Sequence, residues 1–534
     1  MSPDRPATGP GTDAPLPRPD EVVDGVDGVD GVEDVGDLAD VADVGDVTGD
    51  PGSTVVSARG LASPTRWMVA GRVVTQASRL VVSVILANLL GPEAFGVVAV
   101  AMTTIVLLEI VKNLGTGAAV IQRPQVDRVL LDSVFYLNIA MGLLAAGIMV
   151  AAAPAIAAFF GSADATAVVR ALAVVLAISG VTQVHHALLR RAMRFDAVAA
   201  VEMVGALTTG VLSIVLAVLG AGVWSMVWGN VAGVVTGSVV AWVRSGWLPT
   251  RQFSLAPLRE IAGFSLHTAG AALMTFALQN TDKILVGRWL GTTPLGVYTL
   301  AQRTVSYPLE SISGVLMQVL FPAFARAQDD DETLRKGYTR AAGAIAFVTL
   351  PVMVGAAVVA DPLVRALLGP EWRELIPLLW FMAPAGALAA LLSAVNTLYS
   401  AKGRADWMFR WGLASGVLTL GAFAVGLQWG LQGLAIAYLA IMVLQLPVGY
   451  AISLRLIDMR LRDMARALAP YFAMTLLMAA AAAATVQLTE QGGVGPLGQL
   501  LAAIGVGVGV FGGLALWWRP PALRDVRTLA TSRG

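Results

Sequence analysis

Residues 85–101 read ILANLLGPEAFGVVAVA, and residues 285–301 read LVGRWLGTTPLGVYTLA. Each stretch consists of an apolar segment, a glycine-containing turn and a second apolar segment, and the two stretches are 200 residues apart. This pattern predicts that one helix-turn-helix unit opens each of two repeated halves of the chain. The identical pairs are Leu90 and Leu290, Gly91 and Gly291, Gly96 and Gly296, Val97 and Val297, and Ala101 and Ala301.

Apolar runs of similar length recur along nearly the whole chain. Of its 534 residues, 56% are hydrophobic and 13% are charged, whereas about one-quarter of an average soluble domain is charged. Runs of about 20 apolar residues are typical of helices that cross a bilayer, so the composition excludes a water-soluble enzyme. The runs lie near residues 66–90, 95–121, 130–153, 167–189, 196–219, 221–243, 261–287, 295–323, 341–360, 375–400, 408–428, 431–454, 467–488 and 497–518.

These runs predict an all-α integral membrane protein with about 14 transmembrane helices. Because six spans separate the two repeated units, the halves share an orientation, and we expect two six-helix bundles related by a pseudo-twofold axis along the membrane normal. Two further helices follow the second bundle. The predicted divisions are an acidic tail (1–60), a first bundle (66–243), a cytoplasmic linker (244–260), a second bundle (261–454), the additional helices (467–518) and a cytoplasmic tail (519–534).

The amino-terminal tail has a composition of its own. Residues 1–60 contain 14 acidic residues and 3 arginines, lack aromatic residues and repeat the pattern VDGVDGVDG. Such a segment has too little apolar surface to offset the chain entropy lost on folding, so we expect a disordered tail. It also lacks the basic and apolar regions of a signal peptide.

The distribution of basic residues predicts the orientation in the membrane. With an even number of spans, both termini lie on one side, and the connections on that side hold most of the arginines and lysines outside the spans, including Arg123, Arg191 and Arg404. The opposite side carries Arg365 and Arg373. The positive-inside rule therefore predicts a protein of the cytoplasmic membrane with cytoplasmic termini, and topology alone explains most of these arginines.

Several chemistries have no candidate residues. Cysteine is absent, and the three histidines do not form a cluster with metal-ligand spacing, so we predict no metal and no cofactor. The longest outer connections, near 161–166 and 361–372, carry few residues suited to catalysis, which disfavours an enzyme. A phosphate-binding loop of the GxxxxGK[ST] type is also missing, and nothing indicates nucleic-acid binding.

Ionisable residues within the spans are the candidates for function, because each is costly in the membrane unless it faces a partner or a wet cavity. Arg72 and Arg79, like Arg303 and Glu310, lie seven residues apart, about two helical turns, and so share a helix face. His185 and His186 lie at the inner end of the fourth span, where we expect solvated side chains. The candidates are Arg72, Arg79, Glu109, Lys112, Glu202, Asp282, Lys283, Arg303 and Glu310.

Two interpretations of these charges compete. In the first, Glu109 with Lys112 and Asp282 with Arg303 form neutralising pairs that fix helix packing. In the second, a cavity lined by unpaired arginines binds an anion, because a guanidinium donates two parallel hydrogen bonds and stays charged. Arg79 favours the second interpretation, since it has no acidic partner within helical reach.

The chain resembles the polysaccharide exporters of the multidrug, oligosaccharidyl-lipid and polysaccharide (MOP) superfamily, in particular the Wzx-type branch of teichuronic acid and lipopolysaccharide exporters. The resemblance covers roughly residues 66–455, although Asn113 stands where the family often has an acidic residue. The stretches that carry it are ILANLLGPEAFGVVAVA, GAAVIQRP, SVFYLNIAMGLL, HHALLRRAMRFDAVAAVE, NTDKILVGRWLGTTPLGVYTLAQR and ISGVLMQVLFPAFARAQDD.

The resemblance implies a flippase that moves a polyprenyl-pyrophosphate-linked oligosaccharide across the membrane by alternating access. Arg72, Arg79, Lys112 and Arg303 are then expected to bind the pyrophosphate. Membrane lipids, a polysaccharide polymerase and glycosyltransferases are the expected partners. The alternatives are a flippase for the peptidoglycan precursor lipid, a cation-coupled multidrug exporter and a scaffold for glycosyltransferases.

Overall fold

The computed structural model describes the backbone of residues 58–113, 115–123, 126–326, 330–521 and 523. Within these ranges it describes all side chains except those of 58–74, 77, 261–262, 264–266 and 310–326. Almost all of the acidic tail and residues 524–534 therefore lie outside the described part. The chain from Leu61 onward forms one compact unit. All regular structure in the described ranges is helical, which confirms the predicted all-α class.

Sixteen α-helices are formed by the described residues, and short 3-10 turns join some of them. Their bounds are α1 Ala58–Asn113, α2 Thr116–Gln122, α3 Arg128–Phe159, α4 Ala165–Leu172, α5 Val174–Arg191, α6 Phe195–Val218, α7 Val223–Ser245, α8 Leu255–Trp289, α9 Thr292–Arg326, α10 Asp331–Val358, α11 Ala360–Leu367, α12 Leu375–Ala401, α13 Ala405–Gly426, α14 Gly430–Leu454, α15 Leu461–Gln491 and α16 Pro496–Trp518.

Three of the helices begin at a side-chain cap that satisfies a free backbone N–H group. Asp127 accepts a hydrogen bond from the backbone N–H of Leu130 at the start of α3, and Ser254 caps α8 in the same manner. Asp330 caps α10 and accepts from the backbone N–H groups of Glu332 and Thr333. Hydrogen bonds from the Thr333 hydroxyl and backbone hold the pKa of Asp330 below its usual range.

The two predicted turns of the repeat are present at equivalent positions. Gly91 has φ 72° and divides α1 into two helical segments. Gly291 has φ 96° and separates α8 from α9. Both angles lie in the left-handed region that favours glycine, which explains why the repeat has glycine at each position.

The two repeated units also pack directly against each other. A methyl group added to Gly96 would lie 1.8 Å from the carbonyl oxygen of Thr292, and one added to Gly296 would lie 1.8 Å from that of Pro92. The contact is reciprocal, because Gly96 faces Thr292 and Gly296 faces Pro92, and these two residues hold equivalent positions in the repeat. Segments related by a twofold axis make this kind of contact.

The main contacts between helices lie within each half of the chain. In the first half α6 lies along α7 and α3 along α5, and in the second half α12 contacts α9, α10 and α14. The last helix, α16, packs mainly on α15 and α11. Ten helical segments of the described residues are long and apolar enough to cross a membrane, and one of these, 405–457, contains both α13 and α14. The total of 14 spans and the predicted domain boundaries stay predictions.

The predicted linker between the halves is bound to the first half. The backbone N–H of Thr250 donates to Asp132 (2.9 Å) and its hydroxyl also donates to that carboxylate, while Tyr136 donates to the Thr250 carbonyl (2.8 Å). Arg123 pairs with Glu260 at 2.6 Å. Between the end of α7 at Ser245 and the start of α8 at Leu255, the backbone is not helical.

Candidate functional site

Two polar cavities meet near the centre of the protein. The amino-terminal cavity, of about 560 Å³, lies among α1, α5, α6, α7 and α9. The carboxy-terminal cavity, of about 650 Å³, lies among α1, α8, α9, α12, α13 and α14. Met102, Arg303 and Tyr307 line both cavities. These three side chains therefore lie where the two spaces join.

Contacts between the two halves lie beside this central space, at residues 87–95 and 367–372. The Trp372 indole donates to the Ala87 carbonyl (2.9 Å), and its ring packs edge-on against Phe95 at 5.4 Å between centroids. Asn88 donates to the Leu367 carbonyl (3.0 Å). Together with the backbone contact of Gly96, these interactions hold the two halves together on the side that the charge distribution predicts to be extracytoplasmic. We call this set of contacts the outer seal.

Arg303, which lines both cavities, also approaches Phe95 of the outer seal. Its guanidinium carbon is 6.0 Å from the centre of the Phe95 ring, at the limit of a cation–π contact. No described carboxylate forms an ion pair with it. The guanidinium is therefore available to an anion that enters either cavity.

Asp282 is the buried acid of the carboxy-terminal cavity. Its carboxylate accepts hydrogen bonds from the Tyr298 hydroxyl (2.6 Å) and the Gln302 amide (3.2 Å). In this structure these residues, rather than Arg303, are its partners. The neighbouring Lys283 donates to Asn280 at 3.2 Å. Sequence reasoning missed Tyr298 and Gln302, although their four-residue spacing places both on one face of α9.

Arg79 lines the amino-terminal cavity and lies 3.4 Å from the Gln76 amide oxygen of the same helix. Glu109 and Glu202 line that cavity as well. Two carboxylates therefore accompany Arg79 and Arg303 in this space. A ligand here meets both signs of charge.

Lys112 lies apart from the other predicted anion-binding residues. Its side chain is buried, it does not line either cavity, and its ammonium group donates to the Ser179 hydroxyl on α5 at 2.5 Å. This bond replaces the intrahelical pair with Glu109 that the sequence spacing allows. The side chains of Arg72 and Glu310 lie outside the described part.

The two adjacent histidines have different surroundings. His185 is fully buried, lies 2.8 Å from the Ser245 hydroxyl and contacts the Trp242 ring at 4.2 Å between centroids. The expectation of a solvated interface histidine is therefore wrong for His185, because α7 covers it. His186 lines the amino-terminal cavity, and its buried Nδ1 has no hydrogen-bond partner among the described residues.

A third cavity is almost entirely apolar. It has a volume of about 420 Å³ and lies among α1, α3 and α8. Leu107, Ile148, Phe159 and Phe276 contribute to its walls. Thr103 lines both this apolar cavity and the carboxy-terminal cavity, so the two spaces adjoin.

The helical fold and the central polar cavities define a multi-pass membrane protein with a substrate-sized space among its helices. The chain belongs to the polysaccharide biosynthesis protein family, whose pattern matches residues 85–377. The predicted resemblance to a family of polysaccharide biosynthesis is thereby confirmed.

Relatives of known name agree with this assignment. Over 350 residues, 64% of this chain and 72% of the relative, the protein is 29% identical to the teichuronic acid biosynthesis protein TuaB of Bacillus subtilis (strain 168). It is 27% identical to the succinoglycan biosynthesis transport protein ExoT of Rhizobium meliloti (strain 1021), over 74% of this chain and 80% of that one. The lipopolysaccharide biosynthesis protein WzxC of Escherichia coli (strain K12) is 23% identical over 74% of this chain and 80% of that one.

Solved structures show the same fold. The lipid II flippase MurJ in an inward closed conformation aligns with a TM-score of 0.66 and 13% identity, covering 86% of this chain and 99% of that chain. An inward-facing multidrug resistance transporter of the MATE family, from the MOP superfamily, aligns with a TM-score of 0.53 and 19% identity. The alignment covers 72% of this chain and 96% of that chain.

Proposed function

We propose that this protein is a flippase that carries a polyprenyl-pyrophosphate-linked oligosaccharide across the cytoplasmic membrane by alternating access. Membership of the polysaccharide biosynthesis protein family supports the substrate class. The ExoT relative is named a succinoglycan biosynthesis transport protein, which supports a transport role. The role is transport without covalent chemistry.

The position of Arg303 carries this proposal. It stands where the two polar cavities join, without a carboxylate partner among the described residues. A pyrophosphate placed there would accept charge-assisted hydrogen bonds from its guanidinium, and Arg79 would approach from the amino-terminal cavity. The polar walls of the two cavities, which together enclose more than 1000 Å³, would surround the sugars.

In this proposal the apolar cavity binds part of the polyprenyl chain of the substrate. Its leucine, isoleucine and phenylalanine side chains suit the methyl-branched isoprene units of a polyprenyl chain. Because it adjoins the carboxy-terminal cavity at Thr103, the first isoprene units would enter it while the pyrophosphate contacts Arg303. The rest of the chain would stay in the bilayer.

Phe95 would link substrate binding to the outer seal. It contacts Trp372 of the seal on one side and Arg303 on the other. A pyrophosphate on Arg303 would draw the guanidinium away from the ring and weaken the seal. Binding would thereby favour the state that opens to the outside, as alternating access requires.

Lys112 has a supporting role in this proposal. Its ammonium group fixes the Ser179 hydroxyl, and Ser179 lines the amino-terminal cavity. Direct binding of pyrophosphate to Lys112 would require this bond to break. Arg79 and Arg303 are therefore the proposed direct ligands.

The proposed orientation has both termini in the cytoplasm, supported by the arginine-rich connections on that side. Glycosyltransferases there would supply the lipid-linked repeat unit, and a polymerase on the far side would consume it. Because the sequence contains no nucleotide-binding motif, net transport in one direction would be driven by consumption of the substrate on the far side or by an ion gradient.

A multidrug exporter of cations is the second candidate, favoured by Glu109 and Glu202 in the amino-terminal cavity. The two functions predict opposite sensitivities. Loss of a cavity arginine should impair transport of an anionic lipid-linked sugar, whereas loss of a cavity carboxylate should impair export of a cationic dye.

Proteoliposomes that contain a fluorescent lipid-linked oligosaccharide provide the test. We expect the parent protein to accelerate exchange between the leaflets and Arg303→Gln to reduce it at least tenfold, since a hydrogen bond to a charged group contributes about 1.5–3 kcal/mol. Arg251→Gln, which removes an exposed arginine outside the cavities, is the matched control. Exchange no faster than in empty vesicles, across several glycans, would contradict the flippase proposal.

A further inference from the structure

A fourth cavity lies at the end of the protein where α10 and α15 begin and α16 ends. It has a volume of about 740 Å³ and shares no lining residue with the central cavities. Arg340 of α10, Arg466 of α15 and Arg519 at the end of α16 all line it. Since three helices supply one arginine each, we call it the three-arginine pocket.

These arginines have no acidic partner in the described part of the chain. None of the three forms an ion pair with a described carboxylate. All three are exposed, so water and salt weaken the repulsion between them, and an anion that lies among them would offset the rest. The positive-inside rule explains arginines at this end of the helices, but it does not explain why three of them surround one cavity.

The backbone at Arg519 is an independent observation. Its φ of 46° and ψ of 52° are left-handed, although an arginine rarely adopts this conformation. Its backbone N–H closes the last turn of α16 by donating to Ala515, and the chain then continues into Pro520, which is buried. A glycine would fit this turn without strain, whereas arginine at this position places a guanidinium in the pocket.

The remaining walls of the pocket are largely apolar. Trp518, Tyr471 and Pro470 line it together with alanines of α15. Tryptophan and tyrosine are typical of the membrane–water interface. The pocket therefore combines a cationic rim with an apolar wall.

We propose that the three-arginine pocket binds an anionic phospholipid of the inner leaflet, with cardiolipin as the best match. Basic pockets between transmembrane helices on the cytoplasmic side recognise such headgroups. The two phosphodiester groups of cardiolipin match three guanidinium groups in charge, and its acyl chains match the apolar wall. The bound lipid would join α15 and α16 to α10 and so stabilise the attachment of the last two helices. This inference is independent of the identity of the transported substrate.

Lipid binding to the delipidated full-length protein tests the proposal. The pocket variant combines Arg340→Gln, Arg466→Gln and Arg519→Gln. The matched control combines Arg190→Gln, Arg251→Gln and Arg410→Gln, which remove the same charge from exposed arginines outside all four cavities. We expect cardiolipin to raise the melting temperature of the parent and the control, and to bind the pocket variant at least tenfold more weakly in native mass spectrometry.

Three outcomes would overturn the proposal. They are equal cardiolipin affinity in the pocket variant and the control, the same stabilisation by phosphatidylcholine or inorganic phosphate, and preferential binding of undecaprenyl phosphate over cardiolipin at the pocket.

A second measurement leaves the arginines in place, in case the pocket variant does not fold. Cardiolipin with brominated acyl chains quenches nearby tryptophan fluorescence, and Trp518 lines the pocket. At low lipid concentration, brominated cardiolipin should quench part of the tryptophan fluorescence of the parent, and this quenched part should be absent from Trp518→Phe. Trp380→Phe removes an exposed tryptophan on α12 instead, and it should be quenched as much as the parent. Identical quenching in the parent and Trp518→Phe would also contradict the proposal.

Discussion

Gly96 and Gly296, 200 residues apart in the chain, lie in backbone contact at the boundary between the two halves of the protein. A methyl group on either glycine would come within 1.8 Å of a carbonyl oxygen of the other repeated unit. The two glycines were recognisable in the sequence as equivalent positions of a repeat. Their contact shows why neither position has a side chain.

The first prediction is that Gly96→Ala opens the outer seal. The added methyl group cannot fit while the halves are in contact, so the closed arrangement should lose population. The chain contains no cysteine, so a single Thr299→Cys in the carboxy-terminal cavity can report access. We expect an impermeant maleimide added outside to label Thr299→Cys faster in the Gly96→Ala background.

The control for this experiment is Gly147→Ala on α3, where an added methyl group meets nothing within 4 Å. It should leave labelling unchanged, and it should stabilise its helix by roughly 0.5–1 kcal/mol because alanine is the better helix former. Equal labelling of the Gly96→Ala and Gly147→Ala proteins would show that the glycine contact does not hold the seal closed.

The second prediction concerns the buried ammonium group of Lys112. Ser179→Ala should destabilise the protein by about 1–3 kcal/mol, because it leaves a buried donor without its partner. Lys112→Met removes that donor and should restore stability when combined with Ser179→Ala. Thermal unfolding of the two single variants and the double variant measures the coupling. Additive effects would mean that the two side chains do not interact.

How far the sequence could predict this structure depends on the kind of feature. The apolar runs and the turns at Gly91 and Gly291 follow from local composition and backbone freedom, so they could be predicted. The partners of Lys112 and Asp282 lie on other helices, and they depend on how each helix is rotated about its axis. That rotation is set by packing between helices, which no single span encodes.

The composition of the amino-terminal cavity is the clearest case of this limit. Glu109 and Glu202 lie on helices far apart in the sequence, where the spacing allows Glu109 to pair with Lys112 and offers Glu202 no partner. Only the packing of α6 against its neighbours places both acids in the space that Arg79 lines. The same limitation applies to His185, whose burial depends on α7.

The third prediction is that Asp282 and Arg303 pair in the state that is open to the outside and separate in the closed state. Tyr298 and Gln302 hold the Asp282 carboxylate here. Asp282→Asn would remove the acidic partner of Arg303 in the open state, so transport should fall. Because Arg303→Gln already removes this pair together with the substrate ligand, adding Asp282→Asn to it should cause little further loss. Leaflet exchange of the fluorescent substrate is the measurement. A double variant whose loss equals the sum of the two single losses would argue against the pair.

The fourth prediction is that the acidic tail is dispensable for transport. Residues 2–58, nearly all of which lie outside the described part, have a composition that cannot form a core, and their charge has the same sign as anionic lipids. Deletion of this segment should leave leaflet exchange unchanged. Loss of exchange at normal protein levels in the membrane would show that the tail takes part.

The last prediction tests Arg79 as a ligand of the pyrophosphate. It lines the amino-terminal cavity, and Arg303 reaches the same cavity from α9. Arg79→Lys keeps the charge but loses the planar pair of donors, so transport should weaken without vanishing. Arg79→Gln removes the charge and should abolish transport. If Arg79 serves the substrate rather than the fold, the Gln variant should also unfold at the same temperature as the parent or higher, because an uncompensated cation is removed from the membrane interior. A Gln variant that unfolds more easily while its folded fraction still transports would identify Arg79 as a structural residue, held in place by Glu109 or Glu202 of the same cavity.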